Sequence, residues 1–164
     1  MALYKVIDEF LNQNQFKPIQ DFMVSPSPFS WNYMDGVVGH DDPVGSFQFT
    51  HTFYQNLHKS DHIDVILPIL SQLNPYVLMR IKANLNVRTD TIEESSMHTD
   101  FDGLGNTTAI YYLNTCNGYT MFQDGTKVDS IANRMVIFDG DTLHAGTTCT
   151  DEKTRVVINF NYHG

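Results

Sequence analysis

The chain has 164 residues, a hydrophobic fraction of 41% and a formal net charge of −9 at neutral pH. This length fits one domain, which buries roughly 70% of its unfolded surface and therefore needs no disulfide to fold. The acidic balance argues against a partner bound through phosphates, and the longest apolar run, Val65–Leu70, is too short to cross a membrane, so neither nucleic acid nor membrane is expected as a partner.

The first 75 residues predict two helices with extended segments between them. The predicted elements are a helix over Ile7–Val24 with a break near Pro18, an extended segment Phe29–Val38, an acidic loop Gly39–Gly45, a strand Phe47–Tyr54 and a helix Asp61–Leu73. Apolar residues at helical spacing indicate the helices, while the alternation of Phe47, Phe49 and Phe53 indicates the strand. Prolines after each helix, at Pro26 and Pro75, end it because proline cannot continue the hydrogen-bond ladder.

From Tyr76 onward the apolar pattern changes to a period of two, which is typical of strands. The predicted strands are Val77–Val87, Thr107–Asn114, Tyr119–Phe122, Arg134–Phe138 and Arg155–Tyr162. Helices followed by short strands predict a mainly β chain with N-terminal helices (α+β), built as a double-sheet sandwich or jelly roll. We expect a single domain over residues 1–164, in which support from about residues 1–75 packs outside a jelly-roll core of about residues 76–162.

The N-terminal sequence and the cysteine content bear on the compartment. The first residues already carry Lys5, Asp8 and Glu9, so no secretory signal peptide is expected and the protein is predicted to be cytoplasmic. Cys116 and Cys149 are therefore expected to be free thiols, with a disulfide between them as the minor alternative.

Two histidines and one aspartate form the candidate metal site. His98 and Asp100 lie two residues apart, so an extended backbone would point both side chains to one face. His144 is far away in sequence and must come from a separate strand. Two imidazoles and one carboxylate hold one face of an octahedral Fe(II) and leave three positions open, which predicts iron at His98, Asp100 and His144. The other histidines are assigned to packing or to the surface: His40, His51, His58, His62 and His163.

Arg155 opens a strand with one apolar and one largely polar face. The apolar face is formed by Val156, Ile158, Phe160 and Tyr162, and the other face by Arg155, Val157, Asn159 and Asn161. The polar face is either the solvent side of a sheet or the lining of a polar cavity. A guanidinium in a cavity requires an anion, which a dicarboxylate co-substrate supplies. Tyr112, in the strand Thr107–Asn114, is predicted to add a hydrogen bond to that carboxylate.

The C-terminal half, roughly residues 76–162, resembles the Fe(II)/2-oxoglutarate-dependent dioxygenases, and within them the prolyl-hydroxylase-like branch of short bacterial and phage type. The matching stretches are Arg80–Leu85, Met97–Phe101, Thr108–Asn114, Gly118–Phe122, Arg134–Phe138, His144–Gly146 and Arg155–Phe160. Gly118-Tyr119 stands where the prolyl hydroxylases usually carry Gly-Gly. The resemblance implies a double-stranded β-helix core, which is the jelly-roll or cupin-like architecture.

The resemblance also implies roles for individual residues. His98, Asp100 and His144 would bind Fe(II), and Arg155 would pair with the distal carboxylate of 2-oxoglutarate with help from Tyr112. The remaining co-substrate candidates are polar strand residues: Asn86, which occupies the position of a family Tyr that contacts the co-substrate, and Asn159.

The implied activity is hydroxylation of an unactivated C–H bond with Fe(II), 2-oxoglutarate and O2, and the leading substrate implied by the resemblance is a prolyl residue of a peptide or protein. Family halogenases replace the carboxylate ligand, whereas Asp100 is present here, and Asn161 stands where nucleic-acid demethylases carry a second Arg. Three alternatives stay open: hydroxylation of a free amino acid or other small molecule, a cupin-type enzyme without 2-oxoglutarate, and a non-catalytic metal-binding jelly-roll module. The acidic segments Asp35–Asp42 and Asp90–Glu94 would favour a cationic or neutral substrate if they border the site. The oligomeric state stays open.

Overall fold

A computed structural model describes residues 4–38 and 45–164 of the chain. Most of the predicted loop Gly39–Gly45, together with His40, lies outside the described residues. The elements are β1 (Tyr4–Ile7), α1 (Gln13–Val24), β2 (Asn32–Asp35), β3 (Phe47–Gln55), β4 (His58–Lys59), a 3₁₀ helix (Ile63–Ile66), α2 (Leu67–Leu73), β5 (Val77–Val87), β6 (Thr107–Tyr112), β7 (Tyr119–Phe122), β8 (Lys127–Asp129), β9 (Arg134–Asp139), β10 (His144–Gly146) and β11 (Thr154–His163).

The described strands form two antiparallel sheets, which make the protein mainly β, as predicted. The larger sheet has eight strands in the order β1-β9-β6-β11-β5-β3-β2, with β4 added beside β3. The smaller sheet has three strands in the order β10-β7-β8. Because side chains alternate across a strand, the central strands β6, β9 and β11 present one row of side chains to each face of the larger sheet.

Each face of the larger sheet covers its own apolar cluster. On one face Tyr111 and Phe160 pack with helix residues such as Phe16 and Ile69, and this cluster holds the helices against the sheet. On the other face the strands of the two sheets pack together through Ile110, Tyr112, Phe122, Val128, Val136, Phe138 and Val157. The site described below therefore lies on the face that carries the smaller sheet.

The predicted helix over Ile7–Val24 was wrong in its first part. Ile7 ends β1, which pairs with β9 in antiparallel register, and the helix begins at Gln13. Asn12 caps it, because its side-chain oxygen accepts a hydrogen bond from the backbone N–H of Gln15 at 3.1 Å. Pro18 lies inside the continuous helix and does not break it. The apolar residues before Gln13 are buried through strand and loop contacts, which helical spacing alone does not distinguish from a helix.

The other predicted elements agree with the structure to different degrees. The bounds of β5 and β7 are those predicted, and β3, β6, β9 and β11 differ by one or two residues at an end. The second predicted helix begins as a 3₁₀ turn, continues as α2 and ends at Asn74, which has a left-handed φ of 49°. Cys116 and Cys149 are both free and buried, as predicted. Among the described residues, no helix is long and apolar enough to cross a membrane.

Candidate metal and co-substrate site

The structure brings His98, Asp100 and His144 together. One ligand atom of each residue lies within 4.8 Å of the corresponding atoms of the other two. His144 begins β10, so it comes from a separate strand, as predicted. His98 does not belong to a regular strand. Instead it forms an isolated antiparallel bridge with His144, in which each backbone N–H donates to the other residue's carbonyl at 3.0 and 2.9 Å.

Local backbone contacts fix the tautomer of both imidazoles. Nδ1 of His98 lies 3.0 Å from the carbonyl oxygen of Ser96, and Nδ1 of His144 lies 3.1 Å from that of Thr142. A carbonyl oxygen only accepts hydrogen bonds, so both Nδ1 atoms carry a hydrogen, and Nε2 is the nitrogen that each neutral ring would offer to a metal. Burial, and then the neighbouring His98, lowers the pKa of His144, which keeps its imidazole neutral.

Asp100 is held by two side chains from the larger sheet. Nη2 of Arg80 donates to Oδ1 at 2.8 Å, and Nδ2 of Asn161 donates to Oδ2 at 2.9 Å. Burial alone would raise the pKa of Asp100, but the Arg80 charge and the Asn161 hydrogen bond outweigh it, so the pKa lies below its usual value. Each carboxylate oxygen accepts one hydrogen bond and retains lone-pair capacity for a cation.

The donor set fits a divalent transition metal. Nε2 of His144 is buried and has no hydrogen-bond partner among the described residues. Such an orphaned acceptor is unfavourable unless a ligand satisfies it. Two imidazoles and one ionised carboxylate, with no cysteine beside them, match the ligand preference of Fe(II) sites that keep open positions.

Arg155 is almost completely buried and lines a cavity together with His98, Asp100 and His144. Its Nε donates to Ser130 Oγ at 2.7 Å, Nη2 to Thr120 Oγ1 at 3.1 Å and Nη1 to the Thr147 carbonyl at 3.4 Å. Burial lowers its pKa. None of these partners is a carboxylate, so the guanidinium charge is not neutralised by the described residues.

The remaining predicted co-substrate residues differ in their placement. Tyr112 is completely buried behind the cavity. Its hydroxyl donates to Thr120 Oγ1 at 2.8 Å, and its ring faces Arg155 directly, with the guanidinium carbon 5.6 Å from the ring centroid. Burial raises the pKa of Tyr112. Asn86 and Asn159 line the cavity directly, on neighbouring strands.

A cavity of about 480 Å³ connects these groups. Its larger-sheet wall comes from alternate residues of two paired strands, in the register Arg155–Asn86, Val157–Asn84 and Asn159–Lys82, with Arg80 as the next lining residue of β5. The polar face of the Arg155 strand is therefore a cavity lining rather than a solvent face. Glu93 and Glu94, from the predicted acidic segment, are exposed at the edge of the same cavity.

Sequence reasoning missed several residues of this site. Arg80 and Lys82 were predicted only as part of the strand Val77–Val87, and the contacts of Thr120, Ser130 and Asn161 were not anticipated. The alternation of β5 and β11 carried a signal, because two paired strands with polar residues in register indicate a shared polar cavity. Thr120 and Ser130 carry no such signal, since hydroxyl residues are common in short strands and loops.

No family model and no curated protein sequence matches the chain. Solved structures match it over nearly all of its length. A viral collagen prolyl hydroxylase from Paramecium bursaria Chlorella virus-1, in complex with 2OG, is 16% identical with a TM-score of 0.61, over 99% of this chain and 97% of that one. A prolyl hydroxylase from Trichoplax adhaerens, bound to a peptide of hypoxia inducible factor, is 14% identical with a TM-score of 0.69, over 99% and 84%.

A third solved structure that matches the chain is of an epimerase rather than a prolyl hydroxylase. The non-heme alpha-ketoglutarate-dependent epimerase SnoN, from nogalamycin biosynthesis, is 16% identical with a TM-score of 0.67, over 98% of this chain and 77% of that one. At these identities the likeness is one of fold. The chain thus has the fold of the 2OG-Fe(II) oxygenases.

Proposed function

We propose that the protein is an Fe(II)- and 2-oxoglutarate-dependent dioxygenase whose two sheets form a double-stranded β-helix. The observation that carries the proposal is that one cavity contains two buried polar groups that the described residues do not fully satisfy. The buried Nε2 of His144 lacks a partner, and the buried guanidinium of Arg155 lacks an anion. A metal ion would bind the Nε2 atom of His144, and a dicarboxylate would neutralise the guanidinium of Arg155. The shared fold with 2OG-Fe(II) oxygenases supports the same conclusion.

In this proposal His98, Asp100 and His144 hold Fe(II), which together with 2-oxoglutarate and O2 supplies oxidation of an unactivated C–H bond. The chain's part is to present ligands in the correct state. The Ser96 and Thr142 carbonyls accept from the two Nδ1 atoms and so present Nε2 of each histidine as the ligand atom, and Arg80 with Asn161 keeps Asp100 ionised and oriented.

Arg155 binds the distal carboxylate of 2-oxoglutarate in this proposal. A guanidinium has five N–H groups, and the contacts to Ser130, Thr120 and Thr147 use three of them. One N–H on each terminal nitrogen is left, which suits a carboxylate bound by two hydrogen bonds. Thr120, held by Tyr112, fixes the guanidinium plane. Asn86, whose backbone pairs with Arg155, and Asn159 flank the same co-substrate.

The proposed reaction is hydroxylation, with a prolyl residue of a peptide or protein as the first candidate substrate. Solved prolyl hydroxylases from a virus, an animal and Pseudomonas putida share the fold and support this choice. The second candidate is a free amino acid or another small molecule, which the unpartnered cation Lys82 in the cavity favours.

Formation of succinate from 2-oxoglutarate, with Fe(II) and air, tests the proposal. The wild-type protein should produce succinate, and His98→Ala should abolish it. Arg155→Ala should raise the dissociation constant of 2-oxoglutarate about a hundredfold, because it removes a buried charged partner, while Mn(II) binding measured by calorimetry stays within about twofold. Arg88→Ala is the matched control, since this arginine is exposed.

Two results would contradict the proposal. One is succinate formation by His98→Ala at the wild-type rate. The other is an Arg155→Ala variant that remains folded, by circular dichroism, and binds 2-oxoglutarate as tightly as Arg88→Ala. A metal-binding module without catalysis would instead bind Mn(II) through His98 and His144 without any turnover of 2-oxoglutarate.

A further inference from the structure

A second group of metal-ligating side chains lies outside the cavity. Sγ of Cys116, Sγ of Cys149 and a carboxylate oxygen of Asp151 lie within 4.8 Å of one another. Cys116 lies between β6 and β7, and the other two residues lie between β10 and β11. None of the three lines the cavity described above, so neither the Fe(II) ligands nor the proposed co-substrate accounts for their arrangement.

Hydrogen bonds hold the two loops together beside these side chains. The backbone N–H of Asn117 donates to both carboxylate oxygens of Asp151, at 2.9 and 3.1 Å. The Asn117 side chain donates to Thr150 Oγ1 at 2.6 Å and accepts from the Thr150 N–H at 2.9 Å. The N–H of Cys116 donates to the Ser130 carbonyl at 3.1 Å. Loop contacts, rather than a bond between the thiols and the carboxylate, therefore set the arrangement of the three donors.

The donor atoms make few contacts that would compete with a metal ion. Cys116 and Cys149 are free thiols, and burial, followed by the neighbouring Cys116, raises the pKa of Cys149 to about 11. The Cys149 thiol donates to the Glu152 carbonyl over 3.5 Å. Asp151 is exposed and forms no ion pair with any residue in the described ranges. Neither thiol donates to the Asp151 carboxylate there, so hydrogen bonding does not explain why it lies beside them.

Two thiols and one carboxylate are a ligand set for Zn²⁺. Thiolate sulfur selects Zn²⁺ or Cu(I), and a carboxylate oxygen favours Zn²⁺ of the two. Tetrahedral coordination, with Zn–S of about 2.3 Å and Zn–O of about 2.1 Å, places ligand atoms about 3.5–3.8 Å apart. The three donors reach this spacing with side-chain shifts of about 1 Å. The exposed side of Asp151 leaves the fourth position to water.

The surrounding charge also suits the bound ion. Zn²⁺ displaces thiol protons, so two thiolates, one carboxylate and the ion together carry one negative charge. The guanidinium of Arg155 lies near both sulfurs: burial lowers its pKa, and charge on Tyr112, Cys116 and Cys149 opposes that shift. An anionic complex next to this guanidinium is electrostatically favourable, whereas an ion without thiolate ligands would be repelled.

We propose that Cys116, Cys149 and Asp151 form a Zn²⁺ site that links the loop before β7 to the loop before β11. The site is structural, because it lies outside the cavity. The second loop also contains Thr147, whose carbonyl accepts a hydrogen bond from Arg155, so the ion would stabilise the frame around this arginine. The inference goes beyond the proposed function and does not depend on it.

Titration of the reduced protein with Co²⁺ tests the site, because thiolate ligands give a sulfur-to-cobalt charge-transfer band in the near ultraviolet and histidine or carboxylate ligands do not. The wild-type protein should develop this band, and Zn²⁺ should remove it by displacing Co²⁺. The band should persist in His144→Ala, in which the other candidate metal site is impaired. It should be lost in Cys116→Ser and in Cys149→Ser.

Asp151→Asn and Glu152→Gln form a matched pair that tests the carboxylate. Both variants remove one negative charge from an exposed residue of the same loop, and an asparagine oxygen still accepts from the Asn117 N–H. Asp151→Asn should raise the Co²⁺ dissociation constant of the band by about tenfold or more, and Glu152→Gln by about twofold or less.

The link between the loops is tested by heating. Zn²⁺ at about 100 times its dissociation constant should raise the melting temperature of His144→Ala by about 5–10 °C. The Cys116→Ser, His144→Ala double variant should show no such increase. An equal increase in both proteins would overturn the structural role of the site.

Three further results would overturn the site. They are absence of the band in the wild-type protein, a band that survives in Cys116→Ser, and equal Co²⁺ affinities of Asp151→Asn and Glu152→Gln. X-ray absorption at the zinc edge gives a check without a cysteine variant, because Zn²⁺-loaded His144→Ala must show sulfur at about 2.3 Å. A shell of nitrogen and oxygen alone contradicts the proposal. Absent succinate formation with the cobalt band retained would contradict the proposed function only.

Discussion

Arg155 reaches the cavity because the chain opposite it has no side chain at Gly118. A Cβ atom at this position would lie 2.6 Å from the Thr148 carbonyl oxygen and 2.7 Å from Cδ of Arg155. Both distances are shorter than a carbon contact allows, and one neighbour is backbone that cannot rotate away. The missing side chain at Gly118 thus leaves the space that the Arg155 side chain occupies. Tyr119, which follows it, turns outward, where its hydroxyl donates to Glu94 at 2.6 Å.

We predict that Gly118→Ala destabilises the protein by about 1–3 kcal/mol, because an added methyl group in a packed region forces its neighbours to shift. Since one of those neighbours is Arg155, the same variant should bind 2-oxoglutarate at least tenfold more weakly. Urea denaturation and calorimetry measure the two effects.

Gly146→Ala is the matched control for this prediction. Its added Cβ would meet Arg155 Nη1 at 3.5 Å, an ordinary contact, so the stability should change by about 0.5 kcal/mol or less. Equal stability of the Gly118→Ala and wild-type proteins would show that the close approach between Gly118 and Arg155 does not matter.

The segment that leads into helix α1 is held in place by one buried side chain, that of Asn133. Asn133 donates through Nδ2 to the Leu11 carbonyl at 2.7 Å, and its Oδ1 accepts from the Leu11 N–H at 3.0 Å and from the Tyr111 hydroxyl at 2.6 Å. Asn133 also has a left-handed φ of 65°, which asparagine tolerates better than most residues. The turn before β9 thereby anchors the segment between β1 and α1.

We expect Asn133→Ala to lower the free energy of unfolding by about 4 kcal/mol, of which about 1 kcal/mol comes from the left-handed backbone conformation and the rest from the lost hydrogen bonds. The substitution leaves three buried polar groups without partners, each of which costs about 1 kcal/mol or more. Chemical denaturation monitored by circular dichroism measures the loss. Asn56→Ala is the control, because Asn56 has a similar φ of 50° but lies in the exposed turn between β3 and β4. It should lose only about 1 kcal/mol, from the backbone conformation alone. Equal losses would show that the Asn133 side chain contributes nothing beyond its φ.

Elements with long, regular patterns were predictable from sequence, whereas most short elements, with the exception of β7, were not. β5 and β11 alternate over ten or more residues, so both their extent and their two faces followed from the pattern. β1, β4, β8 and β10 have two to four residues, too few to show a period. The start of α1 was misplaced because the helix is capped by Asn12 and the buried residues before it are held by Asn133. Leu11 and Asn133 are 122 residues apart in sequence, so no local sequence pattern indicates their contact.

The candidate site was likewise predictable only in part from the sequence. The spacing of His98 and Asp100, the isolated His144 and the strand beginning at Arg155 identified the groups that the structure brings together. The partners that set their properties come from strand pairing. Arg80 meets Asp100 and Asn161 only because β5 and β11 are adjacent in the sheet, and this adjacency follows from the whole fold rather than from either strand.

The cavity lies between the two sheets, and each sheet supplies part of the site. The smaller sheet contributes His144 and Thr120, and the larger sheet contributes Arg155, Lys82 and the asparagines of β5 and β11. The polar groups of the cavity are poorly satisfied by protein alone. A ligand that spans the cavity would therefore add contacts between the sheets that the unfolded chain cannot make.

We predict that Mn(II) and 2-oxoglutarate together raise the melting temperature. With saturating Mn(II) and 2-oxoglutarate at about 100 times its dissociation constant, the native state gains about 2.7 kcal/mol from the co-substrate. For a domain of this size each kcal/mol shifts the melting temperature by about 2–4 °C, so the expected increase is roughly 5–10 °C. Scanning calorimetry measures it. His144→Ala should lose the shift because the metal and the co-substrate bind at one place. A shift of the same size in His144→Ala would mean that the ligands stabilise the protein elsewhere than between its two sheets.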